Sequence, residues 1–436
     1  MTELKRELGS FSCTMLVAGN MIGIGIFVTA GRIAAVLPHP QMILIAWILG
    51  GLLSLAGALS YAELGTRFPR AGGTYIYLRE AFGPLTGFLS GFSCSVITIP
   101  GASAFLAIGF TRYAGITDPQ LAKGIAVFLI ILFSIVNYWG VKWGAGLQNS
   151  FMILKLLLIF ALIFAGFLSG NGSLQNFFSV GEISHSYLGA LPLAMIPILY
   201  TYSGWDASIY VAGEIKHPSR TIPFSLFSGT LIVTFIYLGL AALYIYAIPV
   251  TSPEHKTKIV TAASSIFFGE RIGKIVGGLV ALSILGCLSA AILTGPRVVY
   301  AMAKDGLLPS KMAHIHELFA SPSYAIFFQG VVASLLVVTG TFDQLLDFAT
   351  VPAIFFQTLT VIGLFVLRKR NHADPAAQVY STLGYPIVPA LFVLAQAWII
   401  LSTIIKTPKD SLWGLLMVTL GLPLYFYWNR QTKFSS

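Results

Sequence analysis

Long apolar blocks run from end to end of this chain, cut at intervals by short clusters of Gly, Pro and charged residues. The blocks are continuous and lack the two-residue alternation of barrel strands, so they read as helices. A helix needs roughly 20 mostly apolar residues to cross a hydrocarbon layer of about 30 Å. On that measure the pattern predicts spans near 11–37, 42–66, 84–111, 123–140, 147–168 and 188–212. Six more follow near 222–247, 272–300, 324–340, 345–367, 387–405 and 412–428. The longest polar connections, 248–271 and 301–323, are expected as loops, and neither is long enough for a separate soluble domain. The predicted fold class is an all-α polytopic membrane protein with 12 transmembrane helices.

Composition sharpens this picture. Of 436 residues, 56% are hydrophobic and only 10% charged, where a soluble domain carries about 25% charged residues. A mean hydropathy of +0.83 over the whole chain rules out a single anchor on a soluble body. The net charge of +10 does not point to nucleic acid, because cytoplasmic connections collect Lys and Arg. With the N-terminus inside, Arg67, Arg70, Arg79, Arg368, Lys369 and Arg370 all fall on the cytoplasmic side. Both termini are therefore expected in the cytoplasm, with the lipid bilayer of the cell membrane around the spans. The first ten residues are polar and lead into a span without a small-residue cleavage site, which argues against a removable signal.

Cys13, Cys94 and Cys287 form no CxxC pair, so neither a disulfide framework nor a zinc site is expected. His314 and His316 are the one close histidine pair, and residues two apart do not share a helical face. No metal or cofactor is expected. Gly-x-Ser-x-Gly, P-loop and HExxH patterns are absent, which disfavours an embedded enzyme. Asn171-Gly172-Ser173 matches a glycosylation acceptor in a predicted outer loop. Trp139, Trp143, Trp413 and Trp428 flank spans and read as interface anchors.

Two spans are built to break. The first reads Ala18-Gly19-Asn20-Met21-Ile22-Gly23-Ile24-Gly25-Ile26-Phe27. Its glycines around a polar Asn20 ease unwinding, and backbone groups freed at bilayer depth are tolerated only against a cavity or ligand. The N–H groups opening the next half-helix suit an anion such as a carboxylate. Close helix packing through Gly19 and Gly23 is the competing reading. The sixth span reads Pro197-Ile198-Leu199-Tyr200-Thr201-Tyr202-Ser203-Gly204-Trp205-Asp206, with a second break expected at Ser203-Gly204. It lies at the equivalent place in a second group of five spans. Paired interruptions in spans one and six point to an inverted-repeat transporter with a midplane site.

Charged residues inside the apolar blocks are few. Lys155 sits in the middle or cytoplasmic half of span five, where an unpaired ammonium is costly. It is a proton carrier, a fixed cation, or a lysine snorkelling to the headgroups. Asp206 follows the second break and serves either a cationic ligand or the freed backbone. Glu63 is expected to pair with Arg67, Glu214 to lie at the interface, and Arg297 to have a structural partner. Asp343 and Asp347 are expected to reach water at the start of span ten.

The motifs Gly23-Ile24-Gly25-Ile26-Phe27, Tyr61-Ala62-Glu63-Leu64-Gly65 and Phe68-Pro69-Arg70-Ala71-Gly72-Gly73 carry a resemblance. So do Tyr202-Ser203-Gly204-Trp205, Glu214-Ile215-Lys216-His217-Pro218 and the stretch from Arg297 to Pro309. Over about residues 8–430 the chain resembles the amino acid–polyamine–organocation transporter family, close to its L-type amino acid transporter branch and bacterial exchangers. The resemblance implies a LeuT-like fold. A cytoplasmic segment over 1–10 would lead into one five-helix repeat over 11–170 and its inverted partner over 186–367. Helices 11 and 12 over 387–428 and a cytoplasmic tail over 429–436 would complete it.

By motif position, amides around Gly23, Ile24 and Gly25 would hold the substrate carboxylate. Carbonyls of Met21, Tyr200 and Ser203 would hold its ammonium, and Ile22, Gly204 and Trp205 would form the pocket or gate. Lys155 would stand in the space of a sodium site. The resemblance thus implies alternating-access transport of an amino acid substrate, independent of sodium. The small or apolar stretches Thr98–Ser103 and Cys287–Ala291 favour small or medium neutral L-amino acids, moved by exchange. Proton-coupled symport through Lys155 and a cationic amino acid or polyamine substrate are the alternatives, with a channel or receptor behind them. Heteromeric members of the family join a heavy chain through a cysteine that is not evident here, so no obligatory heavy-chain subunit is expected.

Overall fold

The computed structural model describes residues 4–37, 39–179, 187–252, 259–339, 342–374, 377–406, 414 and 416–434. The first span is split into α1 (Ser10–Met21) and α2 (Gly25–Val36), followed by α3 (Pro40–Arg67) and a short α4 (Thr74–Phe82). The third span comprises α5 (Pro84–Phe92) and α6 (Ile99–Tyr113), joined by a π turn over Ser93–Thr98. Then come α7 (Pro119–Tyr138), α8 (Val141–Leu168), α9 (Tyr187–Tyr202), α10 (Ala207–Tyr210) and α11 (Pro218–Ala247). The chain continues through α12 (Ile259–Phe268), α13 (Glu270–Lys304), α14 (Ser323–Thr339), α15 (Phe342–Lys369), α16 (Ile387–Lys406) and α17 (Gly421–Phe434). Among the described residues no strand forms; the β contact is an isolated parallel bridge between Leu8 and Ile215.

Nine of the helical segments described are long and apolar enough to cross a bilayer. Three shorter apolar helices, Leu193–Tyr202, Ser323–Thr339 and Leu416–Trp428, lie at further predicted positions. Local signals set many helix starts. Pro40, Pro84, Pro119 and Pro218 open α3, α5, α7 and α11, where a missing N–H costs nothing. Asp118 caps α7 by accepting from the Leu121 N–H at 2.6 Å. The π turn has a cause in the sequence. Pro100 cannot donate to the Val96 carbonyl one turn back, and its ring needs space there. The expected loop over 248–271 is different: Ile259–Phe268 forms a helix, an apolar run too short to span and closed by Gly269 at φ +79°. Trp413 and the side chains of Asp343 and Asp347 lie outside the described residues.

α8 shows the arrangement expected in lipid. Its buried side carries Gly144, Gln148, Met152, Lys155, Ile159 and Leu162, all within the helical repeat. Its opposite side exposes Trp143, Leu157 and Phe164. Polar groups turned inward and large apolar ones outward invert the soluble pattern. Lys155 is 2% exposed, so it is held inside the helix bundle and does not reach the headgroups. The most deeply buried of these apolar stretches is Val280–Lys304 of α13, which packs against α1, α6 and α8.

Candidate functional site

The two predicted breaks occur where the sequence placed them, and they touch. α1 ends at Met21 and the chain bends through Ile22–Ile24 before α2; α9 ends at Tyr202 and turns through 203–206. Asn20 Nδ2 donates to the Gly204 carbonyl at 3.4 Å. Gly204 has φ +100°, and a Cβ there would lie 2.6 Å from Asn20 Nδ2. Both facts call for glycine. On Gly25 a Cβ would come within 3.1 Å of the Thr201 Cα, so the second half of the first span closes directly on the first half of the sixth.

The broken ends distribute their backbone groups unequally. The Gly23 N–H donates to the Met21 carbonyl at 2.9 Å, and Tyr237 Oη donates to the same oxygen at 2.7 Å. The Tyr237 hydroxyl also lies 3.0 Å from the Thr201 carbonyl, bridging the two breaks. By contrast, the N–H groups of Ile24, Gly25 and Ile26 donate to no acceptor among the described residues, as the first turn of a helix requires. The Ser203 N–H donates to the Tyr200 carbonyl at 3.0 Å, while the Ser203 carbonyl accepts nothing among the described residues. One break thus offers N–H groups and the other an oxygen.

Behind the first break stands Lys155. Its Nζ donates to the Gly19 carbonyl at 3.3 Å and, at closer range, to the Ile22 carbonyl, with Cys287 Sγ 4.0 Å away. Ser283 Oγ donates to the Ile22 carbonyl at 3.2 Å, and Cys287 Sγ to the Gly19 carbonyl at 3.0 Å. Carbonyls freed by unwinding therefore converge on one buried ammonium.

In front of the breaks lies a cavity of about 180 Å³. Met21, Gly23, Ile24, Gly25, Tyr200, Ser203, Gly204 and Trp205 all line it, as do Thr98 and Cys287. Ser203 is exposed to this space although the helices enclose it. Ile22 and Lys155 are not part of the wall; Ile22 is fully buried with its carbonyl turned to Lys155. Among the described residues, no Asp, Glu, Lys, Arg or His lines the cavity. Trp205 packs edge-on against Tyr61 at 4.8 Å and Phe392 at 5.9 Å. A second cavity of about 140 Å³ shares Asn20, Ser203, Gly204 and Gln357 with the first and holds Asp206 in its wall. Asp206 is 4% exposed. Tyr210 Oη donates to its Oδ2 at 3.4 Å and lies 3.0 Å from Thr74 Oγ1.

Comparison with known proteins agrees with this geometry. The amino acid permease family profile matches residues 8–427. This chain belongs to that family.

The permease is 33% identical over 433 residues to the serine/threonine exchanger SteT of Bacillus subtilis, covering 97% of each chain. It is 30% identical to the human b(0,+)-type amino acid transporter 1, over 98% of this chain and 88% of that one. To the human large neutral amino acids transporter small subunit 2 it is 28% identical, over 99% and 82%. It is therefore a multi-pass amino acid transporter of the amino acid–polyamine–organocation family and not an enzyme.

The permease also corrects one placement. Glu214, expected at the interface, is wholly buried against Arg297, with Nε to Oε1 at 2.8 Å and both side chains at 0% exposure. Arg297 additionally donates to the Leu293 carbonyl at 2.6 Å. Glu63 accepts from Arg67 Nε at 3.0 Å, as expected, and also from Arg368 Nε at 2.7 Å and the Thr382 N–H at 2.9 Å. Sequence reasoning missed Tyr237, Gln357, Ser54 and Gln396. Gln396 stands almost alone as a polar residue in its span, which was an available signal; Tyr237, Gln357 and Ser54 share their spans with other polar side chains and carried none.

Proposed function

We propose that the permease exchanges small or medium neutral L-amino acids across the cell membrane by alternating access, without sodium. The observation that carries this reading is a cavity bounded by free N–H groups and a free carbonyl and, among the described residues, lined by no charged side chain. A zwitterion suits such a wall. Its carboxylate would lie at the Ile24 and Gly25 amides, where helix-end dipoles favour an anion. Its ammonium would lie at the Ser203 and Tyr200 carbonyls. Gly23 would then act through the turn it forms. Met21, whose carbonyl already serves Tyr237 and the Gly23 amide, would hold the breaks together. Trp205 would gate the cavity beside Gly204, and Ile22 would act through Lys155.

Lys155 supports the exchange reading over proton carriage. Its Nζ is held by the Gly19 and Ile22 carbonyls on the backbone of the first break, where it would serve as a fixed cation in place of sodium. The Bacillus subtilis relative is itself named an exchanger, which supports this reading. The LeuT-like scheme of repeats over 11–170 and 186–367, with both termini cytoplasmic, belongs to the same proposal. So does independence from a heavy chain, since Cys13, Cys94 and Cys287 are all buried. Asp206 in the adjoining cavity favours a second reading, in which a cationic substrate extends towards that carboxylate.

Purified permease in proteoliposomes tests both. Labelled neutral amino acid should enter vesicles preloaded with amino acid, with or without sodium, and should not enter empty vesicles. Uptake into empty vesicles driven by external acid would replace exchange with symport. Stronger competition by arginine or lysine than by neutral amino acids would favour the second reading, and no uptake of any amino acid would sink both.

A further inference from the structure

Buried polar atoms in a helix bundle nearly always find partners. Most helical hydroxyls here do so on their own backbone: Ser60 donates to Ala56, Ser103 to Ile99 and Ser134 to Ile130, at 2.7–2.8 Å. Ser54 does not. Its Oγ has no hydrogen-bond partner although the residue is 1% exposed. Gln396 Oε1 is likewise unpartnered, in a residue 6% exposed. Among the described residues, these are the two unpartnered buried atoms whose residues line the uncharged cavity.

Their positions explain how they meet there. Along α3, Gly50, Ser54, Gly57 and Tyr61 recur at helical spacing on one side. Gly50 faces Ile198 and Tyr202 of α9, Gly57 faces Trp205 and Phe392, and Tyr61 packs on Trp205. Ser54 lies between these contacts and looks the same way. On α16, Phe392 and Gln396 are one turn apart and share a face, and Phe392 closes on both Gly57 and Trp205. The wall beside Trp205 therefore comes from spans two and eleven, and it presents a hydroxyl and a carboxamide with hydrogen-bonding capacity unused.

We propose that Ser54 and Gln396 form a side-chain subsite that selects neutral substrates bearing a hydroxyl or carboxamide over apolar substrates of the same size. The proposal rests on the neutral amino acid reading above and names the side-chain class within it. The chemistry follows from the groups. The Ser54 hydroxyl donates and accepts and the Gln396 carboxamide oxygen accepts, so a substrate hydroxyl or amide satisfies them, whereas a methyl leaves them desolvated and unpaired. Among the described residues, no ionised group at this wall would reward a charged side chain. Trp205 and Phe392 supply the apolar surroundings that exclude competing water.

The test compares size-matched pairs, threonine with valine and asparagine with leucine, as competitors of exchange by full-length protein in proteoliposomes. Wild type should prefer the polar member of at least one pair. Ser54→Ala and Gln396→Leu should each lower that preference, by about tenfold when one hydrogen bond to the substrate is lost, while Ser54→Thr retains it. The ratio within a pair does not depend on how much protein folds, and thermal stabilisation of solubilised protein by the same pairs gives it without turnover. No preference in wild type, or the same preference in both variants, would overturn the subsite. Failure of wild type to exchange any neutral amino acid would instead overturn the function on which it rests.

Discussion

A single ammonium decides how the first break can behave. Lys155 reaches the carbonyls of Gly19 and Ile22 on the segment where α1 ends and unwinds, so one side chain compensates backbone that lost its helical partners. Gly286 makes room for it, since a Cβ there would lie 3.1 Å from Nζ. Replacing Lys155 with alanine should lower exchange by roughly tenfold or more, because the freed carbonyls lose their cation and the break its fixed geometry. The protein should still fold, as judged by a monodisperse elution profile. Wild-type exchange in Lys155→Ala would show that the bend needs no cation. Tyr237 makes a related argument from the other side of the site. Its hydroxyl is the polar link between the Met21 and Thr201 carbonyls, and removing it leaves both without that donor. Tyr237→Phe should cost about 1–3 kcal/mol, seen as a lower thermal midpoint of the solubilised protein. An unchanged midpoint would mean that water replaces the phenol.

At the scale of elements, the informative features are interruptions. Gly204 combines φ +100° with contact to Asn20, and a non-glycine residue there costs about 1–3 kcal/mol in backbone strain alone. Gly204→Ala should therefore displace Asn20 and suppress exchange more than Gly278→Ala in α13, where nothing lies within 4 Å of the new Cβ. Equal activity of the two variants would separate the break from transport. Both interruptions were legible in the sequence because their causes are local: glycines and prolines weaken a helix wherever it sits. The long apolar spans were legible for the same reason. What the sequence concealed depends on which helices touch. Tyr237, Ser54 and Gln396 each look like an incidental polar residue until α11, α3 and α16 are brought against the breaks. The pocket residues expected from the sequence lie on spans one, three, six and eight, and spans two and eleven entered only with the tertiary contacts. Glu214 misled for a similar reason. A run of Glu, Lys, His, Ser and Arg reads as a wet connection, and only Arg297, 83 residues on, takes the carboxylate into the interior.

Across the whole molecule, charge is concentrated at the face where α3, α4, α13 and α15 end. The N-terminal strand-like segment is tied there too, with the Leu8 N–H donating to the Glu214 carbonyl and the Lys216 N–H to the Leu8 carbonyl, at 2.9 and 2.8 Å. Glu80 on α4 is the hub of a group outside the spans. It accepts from Arg79 Nη2 at 2.7 Å and Arg70 Nη2 at 3.0 Å, and it lies 3.1 Å from His372 Nε2. Burial alone would raise its pKa, but the hydrogen bonds from Arg79, His372 and Arg70 outweigh it and hold the carboxyl down from 4.5 to about 2. The sign of the consequence is fixed by linkage. A carboxylate with a lower pKa in the folded state than in the unfolded state stabilises the fold above the unfolded value, and that contribution drains away as pH falls towards the folded one. The permease should thus keep the full contribution of Glu80 at neutral pH and lose it from about pH 5 downwards to about pH 2. Thermal midpoints measured from pH 7 to pH 3 should fall more steeply for wild type than for Glu80→Gln, which has no carboxylate to protonate. At pH 7 the variant should be the less stable of the two, because three donors then face a neutral amide, and the gap should narrow with acid. Parallel curves would assign the cluster's contribution to geometry alone.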